Sequence, residues 1–307
     1  MPDTPARQQT GSSDDLRIEQ SRCLPNRYSE SSCRRCVTIC PHQGISVDEQ
    51  LVVAPERCKG CLLCTTVCPS GAVEHQLNFQ TILVQLAKTT EPVLGCCRTA
   101  ECANANLPCL GGLSEEHLFA LRHRLNGQLT LNLTLCKGCL NHAMLPIIRD
   151  RLKNMTEGEL TAGRCILIAA ESQAELNYQS ETVDRRNFFR ALRSSLFQTA
   201  AVVLQNSSEP AEHTTSSYGD KRVPLRRELL NETILKLPEK HQRSAARQHN
   251  HCISFTPDCS ACQGCVAICP SGALITTSRE QHPVFKQEHC TGCGLCVEFC
   301  LDQAISL

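Results

Sequence analysis

Tryptophan is absent from this 307-residue chain, and only three tyrosines and eight phenylalanines are present. An aromatic-rich core is excluded, so something other than rings must fill part of the interior. Neither sign of charge is in excess: 31 Lys and Arg balance 31 Asp and Glu. That leaves no electrostatic case for nucleic acid or for an anionic membrane. No run of 18 apolar residues occurs, so no transmembrane segment is expected. The opening MPDTPARQQTGSSDD lacks the apolar stretch of a secretory signal, and a cytoplasmic location is expected. Gly-x-Gly-x-x-Gly and P-loop patterns are missing, so no nucleotide or flavin site is argued. The Cys-x3-Cys-x2-Cys loop of radical-SAM enzymes is missing too.

Cysteine is what the chain has instead, with 24 residues, near the content at which it becomes diagnostic. In a chain not read as exported, that load argues for metal binding over a disulfide scaffold.

The cysteines fall into two matching blocks. Cys259-x2-Cys262-x2-Cys265-x3-Cys269-Pro270 is followed by Cys290-x2-Cys293-x2-Cys296-x3-Cys300. Three short gaps closed by proline form the binding run of a [4Fe-4S] cluster, and in paired runs the fourth Cys serves the other cluster. Three thiolates two residues apart must wrap one small cube in a tight loop. Gly264, Gly292 and Gly294 are expected to relieve that loop, since glycine tolerates positive φ. The x3 gap sets two cysteines on one face of a helical turn, which Pro270 then disfavours extending. The N-terminal block repeats the design. Cys58-x2-Cys61-x2-Cys64-x3-Cys68-Pro69 is complete, whereas Cys33-x2-Cys36-x3-Cys40-Pro41 has Glu30 where its first cysteine would stand. Cys23 is the substitute, across an enlarged loop. Both blocks share the tail Cys-Pro-Ser-Gly-Ala, at Cys68 to Ala72 and Cys269 to Ala273, which marks an internal duplication. Cys-x2-Cys pairs also suit tetrahedral zinc. Zinc sites, however, usually pair two knuckles at longer separation and do not crowd three cysteines into one short loop.

On these motifs the chain resembles the bacterial two-cluster ferredoxins, over residues 20–75 and 252–307. The resemblance implies a ferredoxin-like βαβ pseudo-repeat in each block and crossed ligation. One N-terminal cluster would take Cys23, Cys33, Cys36 and Cys68, the other Cys40, Cys58, Cys61 and Cys64. The C-terminal pair would take Cys259, Cys262, Cys265 and Cys300, then Cys269, Cys290, Cys293 and Cys296. Leu301 replaces the proline that would follow Cys300. Each thiolate-bound cube carries about −2, so four would add about −8 to a formally neutral polypeptide.

The middle of the chain reads differently. Leu77–Lys88 has helical character, and Pro92–Cys96 is a short buried strand. Ser114-Glu-Glu-His117 opens a helix with a capping pattern, and Leu118, Leu121 and Leu125 keep its period. Leu129–Leu135 alternates as a strand does. Asn141–Leu152 is helical, with Pro146 marking a kink or an early start, and Cys165–Ala169 is a third strand. Arg185–Thr199 reads as a basic amphipathic helix, and Val183–Phe189 only superficially resembles a twin-arginine signal. Strands alternating with helices predict a small parallel α/β layer. Its cysteines follow predicted strands, and ligands gather at the carboxyl ends of parallel strands. Cys96, Cys97, Cys102, Cys109, Cys136 and Cys139 are therefore candidates for one additional site. This layout is similar to the iron–sulfur delta subunit of methyl-viologen-reducing hydrogenases, which implies a fifth cluster. A redox dithiol at Cys136 and Cys139, zinc, or inert packing are the alternatives. Cys165 and Cys252 read as structural, and His42 as a loop histidine beside Cys40.

The expected fold is α+β, with two ferredoxin-like dicluster modules flanking a small α/β parallel-sheet domain. Residues 1–20 are expected to be disordered, 21–75 to form the first module and 76–205 the middle domain. Residues 206–251 are expected as a linker with one helix over Pro224–Leu237, and 252–307 as the second module. The expected function is one-electron transfer through four [4Fe-4S] clusters. Expected partners are subunits of a redox enzyme of the hydrogenase, formate dehydrogenase or reductase type. A redox enzyme using the middle cysteines and a redox or oxygen sensor are the alternatives.

Overall fold

The computed structural model of the protein describes residues 15–157, 163–178, 221–278 and 280–307. The expected helix over Arg185–Thr199 and the Val183–Phe189 segment lie outside them.

The N-terminal module begins earlier than expected. Leu16–Ile18, assigned above to a disordered terminus, forms strand β1. Leu16 turns into the core while Arg17 faces out, and that alternation earns a place beside a partner strand. β1 pairs antiparallel with β4 (Val73–His75), and β2 (Ile45–Val47) pairs antiparallel with β3 (Leu51–Val53). The enlarged Cys23–Cys33 loop contains a single helical turn, α1 (Leu24–Arg27), with Pro25 in its first turn. Two further short helices, α2 (Arg35–Ile39) and α3 (Leu63–Val67), pack against each other.

The middle region is the expected parallel layer. α4 (Phe79–Leu86) leads into β5 (Val93–Cys96), then β6 (Ala105–Leu107), α5 (Glu115–Arg124), β7 (Gly127–Asn132), α6 (Met144–Glu157) and β8 (Cys165–Ala170). The order β6-β5-β7-β8 is parallel throughout. Periodicity missed β6, which is only three residues long. β7 does not alternate: its last four residues are all buried, as in a parallel strand covered on both faces. The Ser114 cap forms as expected, with the His117 N–H donating to Ser114 Oγ and the Ser114 N–H donating to His117 Nδ1. Leucine fills the interior that aromatics leave: Leu94, Leu110, Leu113, Leu118, Leu121, Leu129 and Leu131 are buried in one core. Cys61 and Leu63 of the N-terminal module belong to that same core.

The segment expected as a linker is largely helical where it is described. α7 (Leu225–Leu235) and α8 (Glu239–His249) form a helical pair. Gln242–Asn250, polar in composition, was read as linker. Ala245, fully buried, seats α8 in a small core with Phe119, Leu230, Ile234 and Leu237, and the His249 ring packs on Phe119 with centroids 4.7 Å apart. The α7 stripe docks internally on α5, as expected by default, although Leu225 stays exposed.

The C-terminal module repeats the N-terminal topology. β9 (Ser254–Phe255) pairs with β12 (Ile305–Ser306), and β10 (Leu274–Ile275) pairs with β11 (Val284–Phe285), both antiparallel. α9 (Gly264–Ile268) and α10 (Leu295–Phe299) lie between them and pack together. No described helix is long and apolar enough to cross a membrane.

Candidate metal centres

Each complete Cys-x2-Cys-x2-Cys loop is bent by the same device. The residues just before and just after the middle cysteine have left-handed φ: Gly60 and Leu62, Ala261 and Gln263, Gly292 and Gly294. Two such reversals per loop turn the peptide N–H groups inward around the thiols. Gly264, expected to supply positive φ, does not. It opens α9, and a Cβ there would lie 2.9 Å from the Phe299 ring, so its role is close packing. A second device follows each fourth cysteine. Three residues beyond Cys40, Cys68, Cys269 and Cys300 stand Gln43, Gly71, Gly272 and Gln303, all at positive φ. The chain then doubles back on the sulfur. Gly44 N–H donates to Cys40 Sγ (3.3 Å), Val73 N–H to Cys68 Sγ (3.4 Å) and Ala304 N–H to Cys300 Sγ (3.4 Å). Ser70 and Ser271 hydroxyls add contacts to Cys68 and Cys269 at 3.8 and 3.6 Å.

The thiols gather in crossed sets. Cys23, Cys33, Cys36 and Cys68 line one small cavity, and Cys269, Cys290, Cys293 and Cys296 line another. Cys61 and Cys64 feel the charge of Cys58 and Cys40. Cys265 feels Cys262 and Cys259 and shares a core with Cys300. Burial pushes Cys23, Cys36, Cys61 and Cys296 up, and neighbouring thiols push them further. Cys36 reaches about 12 through burial and then Cys68, Cys23 and Cys33. Cys296 reaches about 12 through burial and then Cys293, Cys269 and Cys290. Cys23 and Cys61 reach about 11, again mainly through burial. Crowded, water-poor thiols of this kind are poor free nucleophiles. They suit a cationic core that deprotonates them and spreads their charge. Among the described residues no three His, Cys, Asp or Glu side chains close on one point as a single metal ion requires. A cube presents four separate irons, so its thiolates need not converge on a point. Grouping in fours, N–H···S bonds and an apolar wall together fit [4Fe-4S] clusters.

Two family models agree with this geometry: a 4Fe-4S dicluster domain matches residues 30–72, and another 4Fe-4S dicluster domain matches residues 258–305. The chain carries two 4Fe-4S dicluster domains. The first match begins after Cys23; the second includes all eight C-terminal cysteines. No curated protein and no solved structure matches the chain.

Beside the first dicluster domain, the sheet assembles a further thiol set. β5 is the switch point of the parallel layer, with β6 on one side and β7 on the other. Cys96 ends β5, Cys109 follows β6, and Cys136 and Cys139 follow β7. Cys109 has Cys96, Cys61 and Cys136 as neighbours, and Cys136 has Cys96 and Cys139. Arg98 reaches this set and hydrogen-bonds Cys139. Cys97 and Cys102 lie on the turn after β5. Burial and the adjoining thiols push Cys136 up to about 12, opposite to the lowered value of a reactive dithiol.

Several residues that hold these sites together carry no motif. Asn141, buried, links the Cys139 side of the sheet to the first dicluster domain. Its N–H donates to Cys139 Sγ (3.5 Å), its Nδ2 donates to Lys59 O (2.9 Å), and its Oδ1 meets His42 Nε2 at 2.9 Å. His42 therefore bonds to this bridge, which composition alone did not indicate. Gly111 lies so close to Cys61 that a Cβ would run into the Cys61 carbonyl. Buried arginines tie the two dicluster domains by their carbonyls. Arg22 donates to Ser70 O, and Arg27 Nε donates to Ile268 O at 3.0 Å. Only the fold brings those carbonyls together, so no local signal announced these arginines. Cys165 is buried in the sheet core, as expected of a structural residue. Cys252 is exposed; its sulfur accepts from Gln287 Nε2 and lies near Cys290. A cavity of about 410 Å³ is bounded by Glu74, His75, Phe79, His117, Arg226 and Glu232 and is lined by no cysteine.

Proposed function

We propose that this protein is a relay for single electrons, holding four [4Fe-4S] clusters in two dicluster domains that flank the parallel sheet in sequence. What supports this reading is the gathering of cysteines across the halves of each domain: Cys68 shares a cavity with Cys23, Cys33 and Cys36, Cys269 shares one with Cys290, Cys293 and Cys296, and Cys40 and Cys58 neighbour Cys61. When bound, a [4Fe-4S] cluster takes up and returns one electron at a potential set by its surroundings. The chain's part is positional. Cys23 completes the first set from outside the matched motif. The N–H groups of Gly44, Val73 and Ala304 stabilise added negative charge at sulfur, and Leu62, Leu63, Leu295 and Ile268 exclude water. All four positions of each set are thiols, which leaves no open coordination place for a substrate.

The four thiols Cys96, Cys109, Cys136 and Cys139 supply a fifth centre, as the resemblance to the hydrogenase delta subunit implies. A catalytic dithiol is disfavoured by the raised Cys136. The expected partners are subunits of a hydrogenase, formate dehydrogenase or reductase type of complex, in a reducing, cytoplasmic setting that spares so many thiols from oxidation.

Iron, acid-labile sulfide and zinc per chain after anaerobic purification, with EPR of the reduced protein, test this reading. About 16 iron and 16 sulfide is the result for four cubes, and about 18 to 20 adds a centre at the sheet. Stoichiometric zinc with little iron would sink the proposal.

A further inference from the structure

Crossed ligation within a dicluster domain does not say whether two such domains in one chain communicate. Here they meet at their inner sets. Leu24, which follows Cys23, is buried against Ile268 and Leu295, and Cys33 and Cys293 both pack on that same apolar patch. Tyr28 and Phe299 close its edge, ring centroids 5.3 Å apart and nearly perpendicular. Arg27, buried, clamps the patch from one side. Its Nε donates to Ile268 O (3.0 Å) and its Nη2 to Ala267 O (3.4 Å), both just before Cys269, while Nη1 returns to Ser21 O (2.9 Å). On the other side the two Cys-Pro-Ser-Gly tails are joined through two arginines. Arg22 bonds Ser70 O and Arg222 O, and Arg222 N–H bonds Pro270 O at 3.1 Å. Ser32 Oγ reaches Glu298 Oε1 at 2.8 Å.

We propose that this junction is the electronic contact between the two dicluster domains, with Arg27 as its positioning residue. The set Cys23/Cys33/Cys36/Cys68 and the set Cys269/Cys290/Cys293/Cys296 exchange electrons directly across Leu24. One electron crosses, oxidising the group it leaves and reducing the group it enters, with no bond made or broken. The domains then act in series: the Cys40/Cys58/Cys61/Cys64 set, which abuts the sheet thiols through Cys61, is one outer member. The Cys259/Cys262/Cys265/Cys300 set, whose Cys262 is exposed, is the other. This rests on the four-cluster reading above. Tunnelling falls steeply with distance, so a junction packed by the buried side chains of Leu24, Ile268 and Leu295 favours this hop over any route through solvent.

The test is spin coupling in the full chain, after its iron has been counted. In the double variant Cys61→Ala/Cys262→Ala only the two inner sets stay complete, one per domain. With about half the parent's iron retained, the fully reduced double variant is expected to show EPR signals broadened by mutual coupling. Two independent, unbroadened signals would overturn the inference. Should the double variant fail to hold iron, Arg27→Met in the intact chain decides. At unchanged iron content it is expected to lose part of the broadening and of the fast spin relaxation. A spectrum identical to the parent's would overturn the junction's role. Iron well below about 16 in the parent fails the four-cluster reading instead, so the two failures are told apart.

Discussion

The two dicluster domains share topology, loop reversals and tail, yet they keep their thiols differently. In the N-terminal domain Cys23, Cys36, Cys61, Cys64 and Cys68 are buried, and the sheet domain covers the outer loop through Gly111, Gly112 and Asn141. In the C-terminal domain the corresponding outer loop faces water: Cys262 is exposed, Cys259 is half-buried, and Leu301 after Cys300 is 96 % exposed. One architecture thus serves an enclosed pair of sites and an open one. The difference comes from what packs outside the motif, and exposure is one of the settings by which a protein moves a cluster's potential.

The strongest way to break the comparison is at Cys23, proposed above as the fourth thiol of the first set. Cys23→Ala should lower iron by about four per chain while the C-terminal signals persist. Unchanged iron would remove Cys23 from the site. Next in size are two glycines that pack close in different ways. Gly111→Ala drives a Cβ into backbone, the Cys61 carbonyl, and should cost about 3 kcal/mol, the upper end for overpacking. Gly264→Ala meets only the Phe299 ring, which can swing, and should cost about 1 kcal/mol. Thermal unfolding of the two variants measures the contrast; equal losses would mean the covered loop is no more rigid than the open one.

Air supplies a finer contrast. The exposed Cys262 set should bleach first on controlled oxygen exposure, followed by EPR, whereas simultaneous loss of all signals would deny that burial protects the N-terminal domain. The smallest expected effect is on pH. Burial holds His117 down at about 3, below its ordinary 6.5. Its neutral form is kept in the folded state while the unfolded chain takes up a proton, so its contribution is present above pH 6.5 and is lost as pH falls toward 3. His117→Gln should flatten stability over that window, measured by denaturant melts at several pH values. A slope as steep as the parent's would place the acid sensitivity elsewhere.

The thiol spacing made the dicluster domains legible because a cube constrains residues that are near in sequence. The parallel sheet was readable from Val93–Cys96 and Cys165–Ala170, which are short apolar runs between helices. β6 was not, since three residues carry no period. Nor was the helix over Glu239–His249, whose surface is polar and whose one fully buried apolar residue is an alanine. Among the six middle cysteines, strand ends pointed to one edge of the sheet, and the fold sets Cys96, Cys109, Cys136 and Cys139 beside one another. Arg22, Arg27 and Asn141 were invisible for the same reason: their partners are carbonyls remote in sequence, and a carbonyl leaves no mark on composition.

Crossing also bears on assembly. In the proposed crossed sets each fourth thiol comes from the other half of its domain, so placing a first cube would draw together the chain segments that frame the second. Cys68 lies near Cys23, Cys33 and Cys36, and in the same stroke α3 is set against α2, with Cys40 brought to the Cys58–Cys64 loop. Most of the loop-closure entropy is therefore met by the first filling, and the second comes at a discount. With iron limiting, the second cube of a domain should load more readily than the first.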